Sequence, residues 1–183
     1  MLRPDPEGGG RRALIRWGFG FGLTLVSIAA FRLIGPVHAI RGSTKLEELT
    51  PLAYLFPIFL PVGMLAGEAV WRTLAGERLR ACILAFALLS LVVLGGARFA
   101  FLIPLSGHAV VLGFFLVWYA RRTAVGPLLV GGLLLLQTAY YKLVVWHDPL
   151  TLSLGLCAGA ALAVLHELAL AGARRLVGDR RAH

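Results

Sequence analysis

Cysteine and charge are both scarce in this chain. The only two cysteines, Cys82 and Cys157, lie inside apolar runs, so neither a disulfide framework nor a CxxC metal site can be built, and both read as core residues. Charged residues make up 15% of the sequence and only nine are acidic, against about 25% charged in a soluble domain. No internal repeat or coiled-coil heptad stands out. What fills the chain instead is apolar: 58% of its 183 residues are hydrophobic and the mean hydropathy is +0.81. In water, that much apolar surface would need a core larger than such a chain can enclose, whereas a bilayer solvates it directly. The formal charge of +9 does not point to nucleic acid, because the arginines flank apolar segments and no basic stretch is interleaved with exposed aromatics.

Cutting at the charged clusters leaves apolar segments near 14–34, 51–71, 81–103, 107–120, 123–141 and 149–170, most of them close to the length of a spanning helix. The run 81–120 is too long for one helix, and Pro104, Ser106 and Gly107 break it into a hairpin. The expected class is therefore all-α, a polytopic bundle of six transmembrane helices over 13–173. A Gly- and Pro-rich tail at 1–12, read as disordered, precedes it, and a basic tail at 174–183 follows. With the N-terminus inside, thirteen of the eighteen Lys and Arg residues fall on cytoplasmic segments, which sets both termini in the cytoplasm. Arg11 and Arg12 before an apolar run, with Val37-His38-Ala39 beyond it, also permit a cleaved signal peptide, although the run is long enough to span.

Ionisable groups at membrane depth are costly and mark function by default. On the outer edge this topology gathers Arg98, Ser106-Gly107-His108, Lys142 and His147-Asp148 from four separate stretches. Two imidazoles and two cations facing one cleft can hold a phosphate: the cations neutralise it, one His attacks phosphorus and the other protonates the leaving oxygen. The backbone N–H groups of Gly107 and His108 add an anion-binding terminus if they open a helix.

Pro104-Leu105-Ser106-Gly107-His108-Ala109 resembles the P-S-G-H-A motif that opens the fourth helix in the type 2 phosphatidic acid phosphatase superfamily of integral-membrane lipid phosphatases. His147-Asp148-Pro149-Leu150-Thr151, followed by Gly155 and Gly159, is similar to the motif H-x-P-x-D-x-x-x-G-x-x-x-G that opens its sixth. The resemblance implies that His147 is the nucleophile, forming a phosphohistidine, and that His108 protonates the leaving group. It also implies that Arg98 binds phosphate, with Ser106 and Gly107 beside it and Lys142 carried over by charge alone. The family's Ser-Arg pair is Tyr140-Tyr141 here, its Lys is Leu91, and its orienting Asp is Thr151. A hydroxyl at Thr151 is then left to hold the imidazole, so Thr151→Asp is expected to raise the rate.

The implied function is hydrolysis or transfer of phosphate on a lipid at the outer, periplasmic face of a bacterial inner membrane, without metal or other cofactor. Membrane lipids and a lipid phosphate are the expected partners. Two alternatives stay open: a non-catalytic protein of the same fold that binds a lipid or a partner, and an intramembrane serine protease using Ser106. A His at a membrane edge is often only an interfacial residue, and Arg98 and Lys142 can snorkel to headgroups. His38, Arg41 and Lys45 read as solvated loop charge. Glu68, His166 and Glu167 lie toward the opposite end and read as interhelical pairing.

Overall fold

The computed structural model describes residues 6–34, 50–101, 104–122, 124–145 and 147–179, with side chains described over 9–30, 55–94, 104–122, 124–145 and 147–173. The first connection, with His38, Arg41, Lys45 and the stretch Val37-His38-Ala39, lies outside the described residues. Among the described residues six α-helices follow one another: α1 Pro6–Ile34, α2 Thr50–Leu74, α3 Arg78–Phe101, α4 Gly107–Ala120, α5 Val125–Tyr140 and α6 Pro149–Asp179. There is no strand among the described residues. Among the described residues four stretches are long and apolar enough to cross a membrane: 9–30, 55–74, 125–145 and 149–173. α4 has 14 residues, about 21 Å of helix.

That shortest helix is the centre of the molecule. Residues 109–115 of α4 are all buried, as are Trp118 and Tyr119, and α4 packs against α2, α3, α5 and α6. Met64 and Leu65 of α2, Leu84 and Ala87 of α3, and Ala163 of α6 complete the core around Leu112, Phe114 and Phe115. Lipid tails give no hydrophobic reward for helix contact, so small residues that let backbones touch decide which helices pair. Gly63 and Gly67 of α2 lie against α1, where a Cβ on Gly63 would sit 2.6 Å from the Phe19 carbonyl oxygen. Gly155 and Gly159 of α6 do the same for α4, with a Cβ on Gly159 only 2.0 Å from the Val110 carbonyl oxygen. Two tight pairs, α1 with α2 and α4 with α6, thus frame the bundle.

Two expectations change. Residues 6–10 continue α1 where composition suggests disorder; Pro6 suits a first helical position, and Arg12 further along the helix is tied to Glu68 of α2. Cys82 and Cys157 are exposed, not core. In a bilayer protein both faces of a helix are apolar, so an apolar neighbourhood does not tell inside from lipid-facing.

Candidate functional site

The openings of α4 and α6 meet. The Ser106 amide donates to the Thr151 carbonyl oxygen at 3.0 Å, and Gly155, one turn further along α6, lies so close that a Cβ there would be 2.7 Å from the Ser106 oxygen. Ser106 is fully buried. It caps α4, its hydroxyl accepting from the Ala109 amide at 3.4 Å with the backbone extended at φ −80° and ψ 114°. Buried in that role, its oxygen is not presented as a serine nucleophile. Gly107 and His108 form the first turn of α4, both half-buried.

On the other side, α5 ends in a π-helical turn, Tyr141–Val145, an irregularity that proteins keep mostly at functional positions. Lys142 in this turn is 9% exposed. Its ammonium donates to Asp148 Oδ2 at 3.2 Å and to Thr151 Oγ1 at 3.1 Å. The chain then reverses through His147, whose φ of 50° makes it the only non-glycine residue in the left-handed region among the described residues. His is one of the side chains that tolerate this conformation, at a cost of about 1–3 kcal/mol. His147 is exposed.

Asp148-Pro149 then starts α6 as an N-cap followed by the favoured first-turn proline. Asp148 Oδ1 accepts from the Thr151 amide at 3.2 Å, and the Thr151 hydroxyl donates to Asp148 Oδ2 at 2.5 Å. The Asp148 amide closes the turn on the Lys142 carbonyl oxygen at 2.7 Å. The hydrogen bond from the Thr151 hydroxyl, with the Thr151 amide and the Lys142 ammonium behind it, holds the Asp148 carboxyl below its ordinary pKa despite some desolvation.

Of the residues singled out in the sequence, Ser106, Gly107, Lys142 and Thr151 thus share one end of the α4–α6 pair, and His108 and His147 stand on the first turn of α4 and immediately before α6. Arg98 lies on the last turn of α3, its side chain outside the described residues. The sequence reading gives Thr151 an imidazole to hold; the structure gives its hydroxyl Asp148 and Lys142 instead. Asp148 is the member that sequence reasoning undervalues, and the Asp-Pro step that opens a helix is the signal that marks it. Among the described residues no three His, Cys, Asp or Glu side chains converge as metal ligands.

The opposite end of the bundle is built from arginine. Glu68, fully buried, pairs with Arg12 of α1 and with Arg72 one turn away at 2.8 Å. Glu77 receives Arg72 at 2.6 Å and Arg80 at 2.8 Å, and Glu167 of α6 receives Arg122 at 2.5 Å. Burial pushes the Glu77 carboxyl upward, but the Arg80 hydrogen bond and the charges of Arg72 and Arg80 outweigh it and leave the pKa lowered. Glu68 and Glu167 are thus in interhelical pairs, while His166 uses Nδ1 on the Leu162 carbonyl oxygen of its own helix at 2.7 Å. Two clefts open here, of about 250 and 410 Å³. Comparison of the chain with models of protein families, with curated proteins and with solved structures finds no match to any of them.

Proposed function

We propose that this chain is an integral-membrane phosphatase or phosphotransferase acting on a lipid phosphate at the end of the bundle where α4 and α6 open. The observation that carries the reading is the Ser106–Thr151 backbone contact of 3.0 Å, which brings the two histidine-bearing helix openings to one place. In the proposed reaction an imidazole nitrogen of His147 attacks phosphorus while the P–O bond to the lipid breaks and His108 gives its proton to the departing oxygen. Water then attacks the phosphohistidine, returning a proton to His108 and releasing phosphate; an acceptor hydroxyl in place of water gives transfer. The exposed, left-handed His147 is in a conformation suited to meeting substrate at the membrane edge. Lys142 and Arg98 supply positive charge, and the first amides of α4 supply donors.

In this reading all six helices cross the bilayer, both termini are cytoplasmic and the site faces the outside of a bacterial inner membrane. A second reading, binding without catalysis, is favoured by one observation: the charge of Lys142 is already matched by Asp148. One experiment separates them. Phosphate release from a phosphatidate and from a nitrophenyl phosphate is measured for the wild type, His147→Ala and His108→Ala. Loss of both activities in His147→Ala is expected. His108→Ala should lose about 10²–10⁴-fold on the lipid and less on the nitrophenyl ester, whose leaving group needs little protonation. A wild type without activity, or a His147→Ala variant as active as the wild type, favours the binding reading.

A further inference from the structure

The arginine end is more than loop charge left on one side of a membrane. Six guanidinium groups, those of Arg12, Arg16, Arg72, Arg80, Arg121 and Arg122, line its two clefts. Among the described residues the carboxylates paired with them are three, Glu68, Glu77 and Glu167, fewer than the guanidinium groups. Tyr119, Arg16 and Arg72 line the larger cleft; the Tyr119 hydroxyl is completely buried, and among the described residues neither it nor Nε of Arg16 and Arg72 has a hydrogen-bond partner. Arg16 lies over the Tyr119 ring, 5.5 Å from its centroid. Buried donors without acceptors are rare and costly, and each such group asks for an explanation. The residues that carry them line one cleft, and each of these groups is a donor of the kind an oxyanion accepts from.

The surroundings select the kind of anion. The cleft lies where α1, α2, α4 and α5 end or begin. Next to its lining residues, Leu14 of α1 and Val125 of α5 are 73% and 67% exposed, as apolar side chains facing acyl chains would be. Guanidinium forks bind phosphate oxygens in pairs, and basic pockets between membrane helices suit lipid headgroups. We propose that this cleft binds the phosphate of an anionic phospholipid headgroup, with Arg16 and Tyr119 donating to it. The site is at the far end from His108 and His147, and the proposal does not depend on their chemistry.

The test uses purified full-length protein in a neutral detergent, titrated with dihexanoyl phosphatidylglycerol, with dihexanoyl phosphatidylcholine and with inorganic phosphate, bound species being counted by native mass spectrometry. Phosphatidylglycerol should bind about tenfold tighter than the zwitterionic lipid, the difference expected of one or two charge-assisted hydrogen bonds. Arg16→Gln and Tyr119→Phe should each remove most of that preference, while Arg11→Gln, which alters an exposed arginine of the same helix, should keep it. Equal binding of the two lipids overturns the proposal, as does equal weakening by Arg11→Gln and Arg16→Gln, the result of diffuse attraction. Inorganic phosphate binding as tightly as phosphatidylglycerol and displacing it would assign the cleft to a free anion and overturn the lipid assignment. His147→Ala should leave the lipid preference unchanged, so failure at one end of the molecule is read separately from failure at the other.

Discussion

At the scale of single residues, Asp148 reorganises the candidate site. From sequence alone, a carboxylate at position 151 looks like a missing part. In the structure the Thr151 hydroxyl lies 2.5 Å from Asp148 Oδ2, so Thr151→Asp would place two carboxylates in one hydrogen-bonding position, where like charges cannot both ionise. The expected result is lower thermal stability and slower phosphate release, the reverse of the sequence expectation. Thr151→Asp combined with Asp148→Asn relieves the repulsion and should recover both. Linkage gives a second check on the same residue. A depressed carboxyl contributes stability above the ordinary carboxylate pKa and loses it as pH falls through the folded-state value. The melting temperature should therefore fall on acidification below that range, and Asp148→Asn, which keeps a good N-cap, should flatten part of that fall. An unchanged acid limb in Asp148→Asn would mean that this carboxyl is not linked to folding.

At the scale of helices, much was legible because charged residues punctuate the apolar runs. The break at Ser106-Gly107 and the end at Ala120 delimit α4 as the sequence suggests, and the Asp-Pro step starts α6 where expected. The π turn at Tyr141–Val145 was not legible, since no residue type marks it. Nor was the choice of which helix sits in the middle, because hydrophobicity does not distinguish a buried helix from one in lipid. The glycines carry that information through helix contact, and they can be tested against each other. Gly159→Ala puts a Cβ against the Val110 carbonyl oxygen, forcing α4 and α6 apart at a cost of about 1–3 kcal/mol. Gly132→Ala on α5 meets nothing within 4 Å and should stabilise by about 0.5–1 kcal/mol through helix propensity. Thermal unfolding in detergent should move in opposite directions for the two; movement in the same direction would refute the close α4–α6 packing.

At the scale of the whole molecule, the two ends differ in kind: His108, His147, a lysine and an aspartate at one, arginines and glutamates at the other. The sequence shows the asymmetry, because the positive charges cluster on alternate connections, but it does not show the pairing. Arg12 and Glu68 are 56 residues apart and Arg122 and Glu167 are 45 apart, so only the fold brings them together. Those pairs join the start of α1 to the end of α2, and the connection after α4 to the later part of α6, so one bundle end gathers alternate connections. If the arginine end is cytoplasmic, as the positive-inside rule requires, one labelling pattern follows. In a background with Cys82 and Cys157 both replaced by Ser, Ala75→Cys reports on the arginine end: Ala75 is exposed, and the left-handed turn at Gly76 is left intact. Thr44→Cys reports on the connection between α1 and α2. A membrane-impermeant maleimide applied to intact cells should label Thr44→Cys at once and Ala75→Cys only after permeabilisation. The opposite pattern would turn the histidine end toward the cytoplasm, and the lipid phosphate proposed for it would then have to come from the inner leaflet.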